Sequence, residues 1–365
     1  MIPLKNDRLI KALMRQPVDR TPIWLMRQAG RYLPEYRALR AKTRDFFTFC
    51  QTPELACEAT LQPIHRFPLD AAIIFSDILT VPLAMGCEIK MDEGRGPVAL
   101  NPIRDQWAMQ SLNTDILEKL NYVSEAIYLT KKELHNQIPL IGFAGSPWTV
   151  ATYMVEGQSS KTFEIIKSML YKNPKILHQL LQKITDVTIE YLKMQIAAGA
   201  DIVMLFDSWG GVLSPNTYYE FSLQYMTKIT QQLKTHTHTH TPVIIFSKGC
   251  GLYLENIANS GCDAVGVDWT MDLALAKKQV GNRVALQGNL DPSILLSTPD
   301  RIQSEAKKIL DVYKNETGFV FNLGHGISKD TPVESVEALV DVVTTAVEQC
   351  DSSIALLDAI PPEGF

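Results

Sequence analysis

Apolar residues along the chain come in short unbroken runs rather than in alternation, at 23–26, 71–75, 140–144, 202–206, 243–246, 264–267, 284–286 and 319–323. A strand that is apolar throughout is buried on both faces, which is the condition of strands in a parallel sheet. Most of these runs are separated by longer stretches with helical spacing, such as 176–198, 218–233, 301–313 and 333–347. Eight repeats of strand then helix predict an α/β fold built as a single (β/α)8 TIM-type barrel, one domain over residues 1–365. The rival is a doubly wound open sheet, which is weakened because no apolar run is followed by G-x-G-x-x-G. The segment Gly94-Arg95-Gly96-Pro97 sits in a charged turn instead, and residues 88–100 read as an inserted hairpin.

Helix punctuation agrees with this division. Asn173-Pro174, Ser214-Pro215, Thr298-Pro299 and Thr331-Pro332 each place a capping side chain before a proline suited to the first helical position. Gly199 is expected to end the long helix, and Gly199-Ala200-Asp201-Ile202 resembles Gly261-Cys262-Asp263-Ala264, as repeated helix-to-strand joints would.

Composition narrows the function classes. With 365 residues, 46% of them hydrophobic and 21% charged, the chain can bury a large core, which excludes intrinsic disorder. A net charge of -5 argues against a general nucleic-acid binder, which needs a basic excess. No apolar run approaches the ~18 residues of a membrane span, and the N-terminal stretch with Lys5, Asp7, Arg8 and Lys11 lacks a signal peptide's apolar core, so a soluble cytoplasmic protein is expected. The six cysteines (Cys50, Cys57, Cys87, Cys250, Cys262, Cys350) show no C-x-x-C pair and read as reduced thiols. One odd tract, THTHTHT over residues 235–241, could hold a soft metal weakly through His236, His238 and His240, but reads more simply as a solvated loop after a helix. No metal site is expected.

Barrel active sites lie where strands end, and the residues there are polar in every case. They are Arg27 and Gln28, Ser76 and Asp77, Ser146, Asp207 and Ser208, Ser247 and Lys248, Asp268, Gln287 and Asn289, and His325. Helix capping explains Ser146, Asp207 and Asp268 at least as well as catalysis does. The first loop carries the strongest signal: from 27 to 44 it holds six basic residues against Glu35 alone, a local +5 in a chain of net -5. Five of the six are arginine, whose planar fork grips carboxylate or phosphate in bidentate fashion. Arg40, Lys42 and Arg44 suit a solvated helix face equally well, whereas Arg27 stands directly at a strand end. Asp77 is the anomaly, because a carboxylate facing a polyanion costs Coulomb energy unless it accepts donors or stabilises a developing cation. His325 lies between two glycines, which would let a ligand approach the backbone.

The run Met26-Arg-Gln-Ala-Gly-Arg-Tyr-Leu-Pro-Glu-Tyr36 closely resembles the N-terminal signature of the uroporphyrinogen decarboxylase family. Phe75-Ser-Asp-Ile-Leu, Gly145-Ser-Pro-Trp-Thr, Thr152-Tyr-Met-Val-Glu-Gly, Phe206-Asp-Ser-Trp-Gly-Gly, Gln287-Gly-Asn-Leu-Asp-Pro and Phe321-Asn-Leu-Gly-His-Gly-Ile resemble its later blocks, in its order. The resemblance implies a cofactor-free (β/α)8 carboxy-lyase of haem synthesis that removes the four acetate carboxyls of uroporphyrinogen III to give coproporphyrinogen III, working as a cytoplasmic homodimer without nucleic-acid or membrane partners. It further implies that Arg27 and Arg31, with the intervening Gln28, Ala29 and Gly30, bind substrate carboxylates. Arg27 would also be a proposed proton donor, Asp77 would accept the pyrrole N–H groups, and Tyr153, Ser208 and His325 would complete the substrate shell. Without the resemblance, Tyr153 reads as a buried aromatic and Ser208 as a helix cap. Gln158 stands where the family's loop is usually richer in glycine, and the THTHTHT tract is no known feature of it.

Two other classes compete. Zinc-dependent methyl transfer to a thiol, on a related barrel, uses His-x-Cys after the fifth strand and a later Cys; here that position reads Lys248-Gly-Cys250, and Cys350 lies far past the last strand. A tetrapyrrole carrier would keep the arginines but have no need of Asp77.

Overall fold

The computed structural model describes residues 3–92, 96–158, 160–236 and 241–346. Side chains along its strands part alternately into two cores, which explains why the strands read as unbroken apolar runs. In β5 (Ile202–Asp207), Ile202, Met204 and Phe206 face one side while Val203 and Leu205 face the other. In β6 (Val243–Ser247), Ile244 and Phe246 join the first core, and Val243 and Ile245 the second. The first core lies inside the curl of the sheet with Trp24, Ile141 and Val320; the second is shared with the surrounding helices.

The strands β1 (Ala72–Ile73), β4 (Leu140–Gly145), β5, β6, β7 (Ala264–Gly266), β8 (Ala285–Leu290) and β9 (Phe319–Leu323) form one parallel seven-stranded sheet in that order. Between β1 and β4 the chain makes the expected hairpin, β2 (Ile89–Asp92) against β3 (Gly96–Ala99), with Ile89 opposite Ala99. The helix Arg8–Leu13 adds Leu9, Ala12 and Leu13 to the inner core.

The first apolar run departs from the expectation of eight regular strands. Residues 23–26 make one isolated parallel bridge, Ile23 with Phe321, and the Phe321 N–H donates to Pro22 O at 2.8 Å. On the other side Ile23 O accepts the Asp70 N–H, and its own N–H donates to Asp70 Oδ2, each at 2.8 Å. A side chain thus takes the amide that a ladder would pair, and the backbone leaves the extended region at Arg27, where φ is 61°. The same device joins neighbouring strands of the sheet: Leu140 donates to Asp201 Oδ2 at 2.7 Å and Val243 to Asp263 Oδ2 at 2.8 Å, so the joints at 199–202 and 261–264 are alike in structure as in sequence.

Helix ends follow the prolines better than the caps. Pro174, Pro215 and Pro299 open the helices Pro174–Ala198, Pro215–Tyr218 and Pro299–Val312, but Asn173, Ser214 and Thr298 make no side-chain capping bond. Pro332 is itself the residue before Val333–Thr345, so Thr331 caps nothing, and its buried hydroxyl lacks a partner. The helix expected over 218–233 is interrupted by a π turn, Tyr219–Leu223, before Gln224–His236. Gly199, with φ 118°, ends the long helix as expected. Cys50, Cys57, Cys87, Cys250 and Cys262 are free and buried; Cys350 and most of the histidine tract lie outside the described residues. No helix among the described residues is long and apolar enough to cross a membrane.

Candidate active site

The polar residues of the expected site lie at or just after the C-terminal ends of the parallel strands. In the first loop, Arg27 and Arg31 are exposed, and neither has a carboxylate within 4 Å among the described residues. Three of the other charges there are spent internally: Arg37 donates to the carbonyls of Arg31 and Tyr32 at 2.7 and 3.0 Å, Arg40 to Thr43 O at 3.1 Å, and Glu35 accepts Arg66 at 2.8 and 3.1 Å, while Lys42 and Arg44 are exposed. Gln28 turns inward. It is buried, its Oε1 accepting the Leu25 N–H and its Nε2 donating to Ala71 O, both at 3.1 Å, so it braces the turn. Ala29 and Gly30 carry the chain between the two arginines, Gly30 closely packed under the Arg27 carbonyl, 3.1 Å from where a Cβ would stand.

Asp77 follows the end of β1 and is half-buried. Its Oδ1 accepts the Leu79 N–H at 2.8 Å. Burial pushes its carboxyl above the usual range, and that N–H and the nearby Arg27 pull it partly back. Tyr153, on the helix Pro147–Glu156, shares this neighbourhood: burial raises its phenol, Trp209 lowers it, and both Asp77 and Arg27 act on it. His325 lies between Phe246 and Trp269, ring centres 6.0 and 6.3 Å away and nearly edge-on. Burial pushes the imidazole down to about 4, reinforced by Arg27 and Lys248 and opposed by Asp268, so it is neutral at pH 7. The flanking glycines are required by the protein's own packing. A Cβ on Gly324 would stand 3.1 Å from Trp269 Cα, and one on Gly326 would stand 2.6 Å from Arg27 Cγ.

Asp207 corrects the capping expectation, since it caps no helix. It is wholly buried, its Oδ1 accepting Ser146 Oγ at 2.6 Å and Thr149 Oγ1 at 2.9 Å, its Oδ2 accepting Ser247 Oγ at 2.7 Å and Ser222 Oγ at 2.9 Å. Burial raises the carboxyl and the four hydroxyls lower it. Ser146 does cap, through Thr149 N–H at 3.0 Å. Ser222 reaches Asp207 from the π turn, the kind of local irregularity that gathers at functional sites. This knot anchors the loop bearing Ser208, which is half-buried, and Trp209, whose N–H donates to Thr149 Oγ1 at 3.2 Å. Asp268 holds backbone: it accepts from Gly249 and, at 2.8 Å, from the Thr270 N–H. Gln287 accepts Trp24 Nε1 at 2.8 Å inside the curl, and Asn289 donates to Asp268 O at 3.0 Å, so neither is available to a ligand through those atoms.

The aromatic file is what the sequence reading missed. Phe143, Phe206 and Phe246 follow one another across β4, β5 and β6 with ring centres 5.5 and 6.2 Å apart, and the file continues through His325 to Trp269. Its signal was available: each phenylalanine is at or next to the last inward-facing position of its strand. The rings meet edge to face and Phe246 is buried, so the file is a packed aromatic cluster at the strand ends. Cys250, the thiol of the zinc alternative, is buried and pushed up to about 12, so it stays protonated, and Lys248 replaces the histidine.

A parallel sheet flanked by helices, with the unpaired Arg27, the half-buried Asp77 and the neutral His325 past its strand ends, has the architecture of an α/β enzyme. The family model described as uroporphyrinogen decarboxylase (URO-D) matches residues 4–346. The uroporphyrinogen decarboxylase of Coxiella burnetii is 59% identical over 345 residues, covering 94% of this chain and 96% of the relative. That of Vesicomyosocius okutanii is 54% identical over 341 residues, covering 93% and 98%. The chain belongs to the uroporphyrinogen decarboxylase family. Among solved structures, a methyltransferase from Methanosarcina mazei has the same fold, with a TM-score of 0.78 at 24% identity over 94% of this chain and 98% of that one.

Proposed function

We propose that this site removes the four acetate carboxyls of uroporphyrinogen III, releasing CO2 and coproporphyrinogen III, in tetrapyrrole biosynthesis. The observation that carries the reading is Asp77: a carboxylate held half-buried beside the unpaired Arg27 suits a ligand that is anionic at its rim and N–H-bearing at its centre. Pyrrole N–H groups converge on the Asp77 carboxylate, while Arg27 and Arg31 hold carboxylates of the substrate by bidentate contact. Protonation of a pyrrole ring carbon beside the acetate arm makes the ring cationic. The electrons of the arm's C–COO⁻ bond then flow into the ring as CO2 leaves. A proton adds to the resulting methylene, the ring proton departs, and a methyl group and a neutral pyrrole remain. The Asp77 charge stabilises the cation in between. No step calls for a metal or an organic cofactor.

Tyr153, Ser208 and His325 complete the shell in this reading, with the neutral imidazole offering one donor and one acceptor. Gln28, Ala29 and Gly30 contribute by spacing Arg27 from Arg31. In this reading Arg27 is also the proposed proton donor. The same reading closes the sheet into a (β/α)8 barrel in one domain, with residues 23–26 as the eighth stave. In its support, Ile23 and Asp70 exchange the pair of bonds that Leu140 and Asp201, and Val243 and Asp263, exchange between regular strands. A cytoplasmic homodimer completes it; light scattering at the monomer mass would remove the dimer.

The decisive test is anaerobic incubation with uroporphyrinogen III, followed by separation of the oxidised porphyrins by carboxyl number. Stepwise loss of four carboxyls is expected. Binding without loss would replace the enzyme by a carrier.

A further inference from the structure

We propose that Lys248 binds a carboxylate of the substrate at the rim of the site, a charge contact separate from that of Arg27 and Arg31. The proposal rests on the decarboxylase reading and deepens it.

Lys248 is the first residue after β6, half-buried, and its Nζ lies 5.3 Å from the ring centre of Trp269 and 6.0 Å from that of Trp209. Two indoles therefore bracket the ammonium without satisfying its three donors. Among the described residues no carboxylate oxygen lies within 4 Å of it. The acids bonded into its surroundings are spent: Asp207 on four hydroxyls, and Asp268 on Gly249 and Thr270. A half-buried, unpaired ammonium just past the end of β6 lacks a counter-charge that an anionic ligand would supply.

The backbone that carries the amine is held in place. The Lys248 N–H donates to Asp207 O at 3.1 Å, and its carbonyl accepts Gly211 N–H at 3.0 Å. A Cβ on Gly211 would stand 2.6 Å from that carbonyl, so the glycine is what lets the two loops close. Such a fixed backbone limits the ordering cost of a long flexible side chain.

Position decides the role. Lys248 and Arg27 both depress the proton affinity of His325, so one imidazole has cations from two different strand ends near it. A macrocycle with carboxylates around its whole periphery and its N–H groups on Asp77 reaches past the Arg27 loop. Carboxylates on that farther side meet Lys248. Being a compact point charge, the lysine supplies affinity rather than the fork geometry of an arginine.

The test compares Lys248→Met, Lys248→Gln and Lys248→Arg with wild type on uroporphyrinogen III. Both neutral variants are expected to raise KM about tenfold with kcat within about threefold, and to flatten the salt dependence of kcat/KM. The arginine variant should recover KM to within about threefold. In unliganded Lys248→Met, the His325 imidazole should titrate above its wild-type value by NMR, which a merely structural lysine elsewhere would not produce. Unchanged KM in both neutral variants overturns the proposal. So does a fall in kcat at constant KM, which would make Lys248 a transition-state group. If wild type neither binds nor decarboxylates uroporphyrinogen, the decarboxylase reading falls first and this proposal with it.

Discussion

The Arg27 side chain lies across the α-carbon of Gly326, so that a methyl group there would stand 2.6 Å from Arg27 Cγ and 2.9 Å from Nε. The segment after residue 26 and the loop after β9 are thereby locked together, with the Ile327 N–H donating to Met26 O at 3.0 Å beside the contact. Gly326→Ala should fold but push the guanidinium aside. A displacement of about 1 Å in a positioning group can cost roughly a hundredfold in rate, and kcat/KM on uroporphyrinogen III should fall by that order. Near-normal kcat/KM would mean that Arg27 is not needed where it stands.

Arg27→Lys tests whether charge suffices. The fork presents parallel donors to a carboxylate where lysine offers one point charge, so at least a tenfold loss in kcat/KM is expected for Lys, and a greater one for Ala. If Arg27→Lys turns over normally, the bidentate contact is wrong.

His325 makes stability depend on pH. Its folded value near 4 lies below the unfolded 6.5, so between these values the unfolded chain binds a proton that the folded one refuses. The contribution is fully present above pH 6.5 and is lost as pH falls toward 4. Between pH 7 and pH 5 the loss is about 2 kcal/mol. Denaturant unfolding of wild type and His325→Gln at both values checks this: the variant should lack that part of the decline.

Much of the fold was legible because burial on both faces leaves an unambiguous mark. Ile202, Met204 and Phe206 serve one core and Val203 and Leu205 another, so β5 reads as a continuous run. Residues 23–26 carry the same mark, yet their pairing depends on the Asp70 side chain, 47 positions away, which no local pattern reveals. In the site, Arg27 was legible through the charge imbalance of its loop. Asp207 was not, because its partners Ser146, Thr149, Ser222 and Ser247 come from separate elements, and a lone acid after a strand looks like a helix cap. The brackets around Lys248 were hidden for the same reason: Trp209 and Trp269 meet only in the folded chain.

That knot also predicts a stability effect. Asp207→Asn puts an amide N–H2 against hydroxyls that were donating, leaving at least one buried donor unpaired, at a cost of about 2–3 kcal/mol. Ser222→Ala removes one donor of four and should cost about 1 kcal/mol. Thermal unfolding of both distinguishes a knot from a solvated acid, for which neither change would register.

Asp77 sets stability against activity. Burial raises its carboxyl above the ordinary 3.8, so in the unliganded protein the ionised form is less favourable than in the unfolded chain. The sign follows from linkage: the penalty is absent below the unfolded value and grows as pH rises through the folded one. Asp77→Asn should therefore be at least as stable as wild type at pH 7, while losing several kcal/mol of transition-state stabilisation, roughly the scale for removing one preorganised group. Asp77→Glu should fail as well, because it keeps the charge but moves it by about one and a half bond lengths, enough to miss N–H donors converging at ~3 Å. Unfolding curves and turnover of uroporphyrinogen III on the same preparations separate the two effects. A stable Asp77→Asn protein that turns over at the wild-type rate would mean that no cation forms beside this carboxylate, and the proposed chemistry would have to be abandoned.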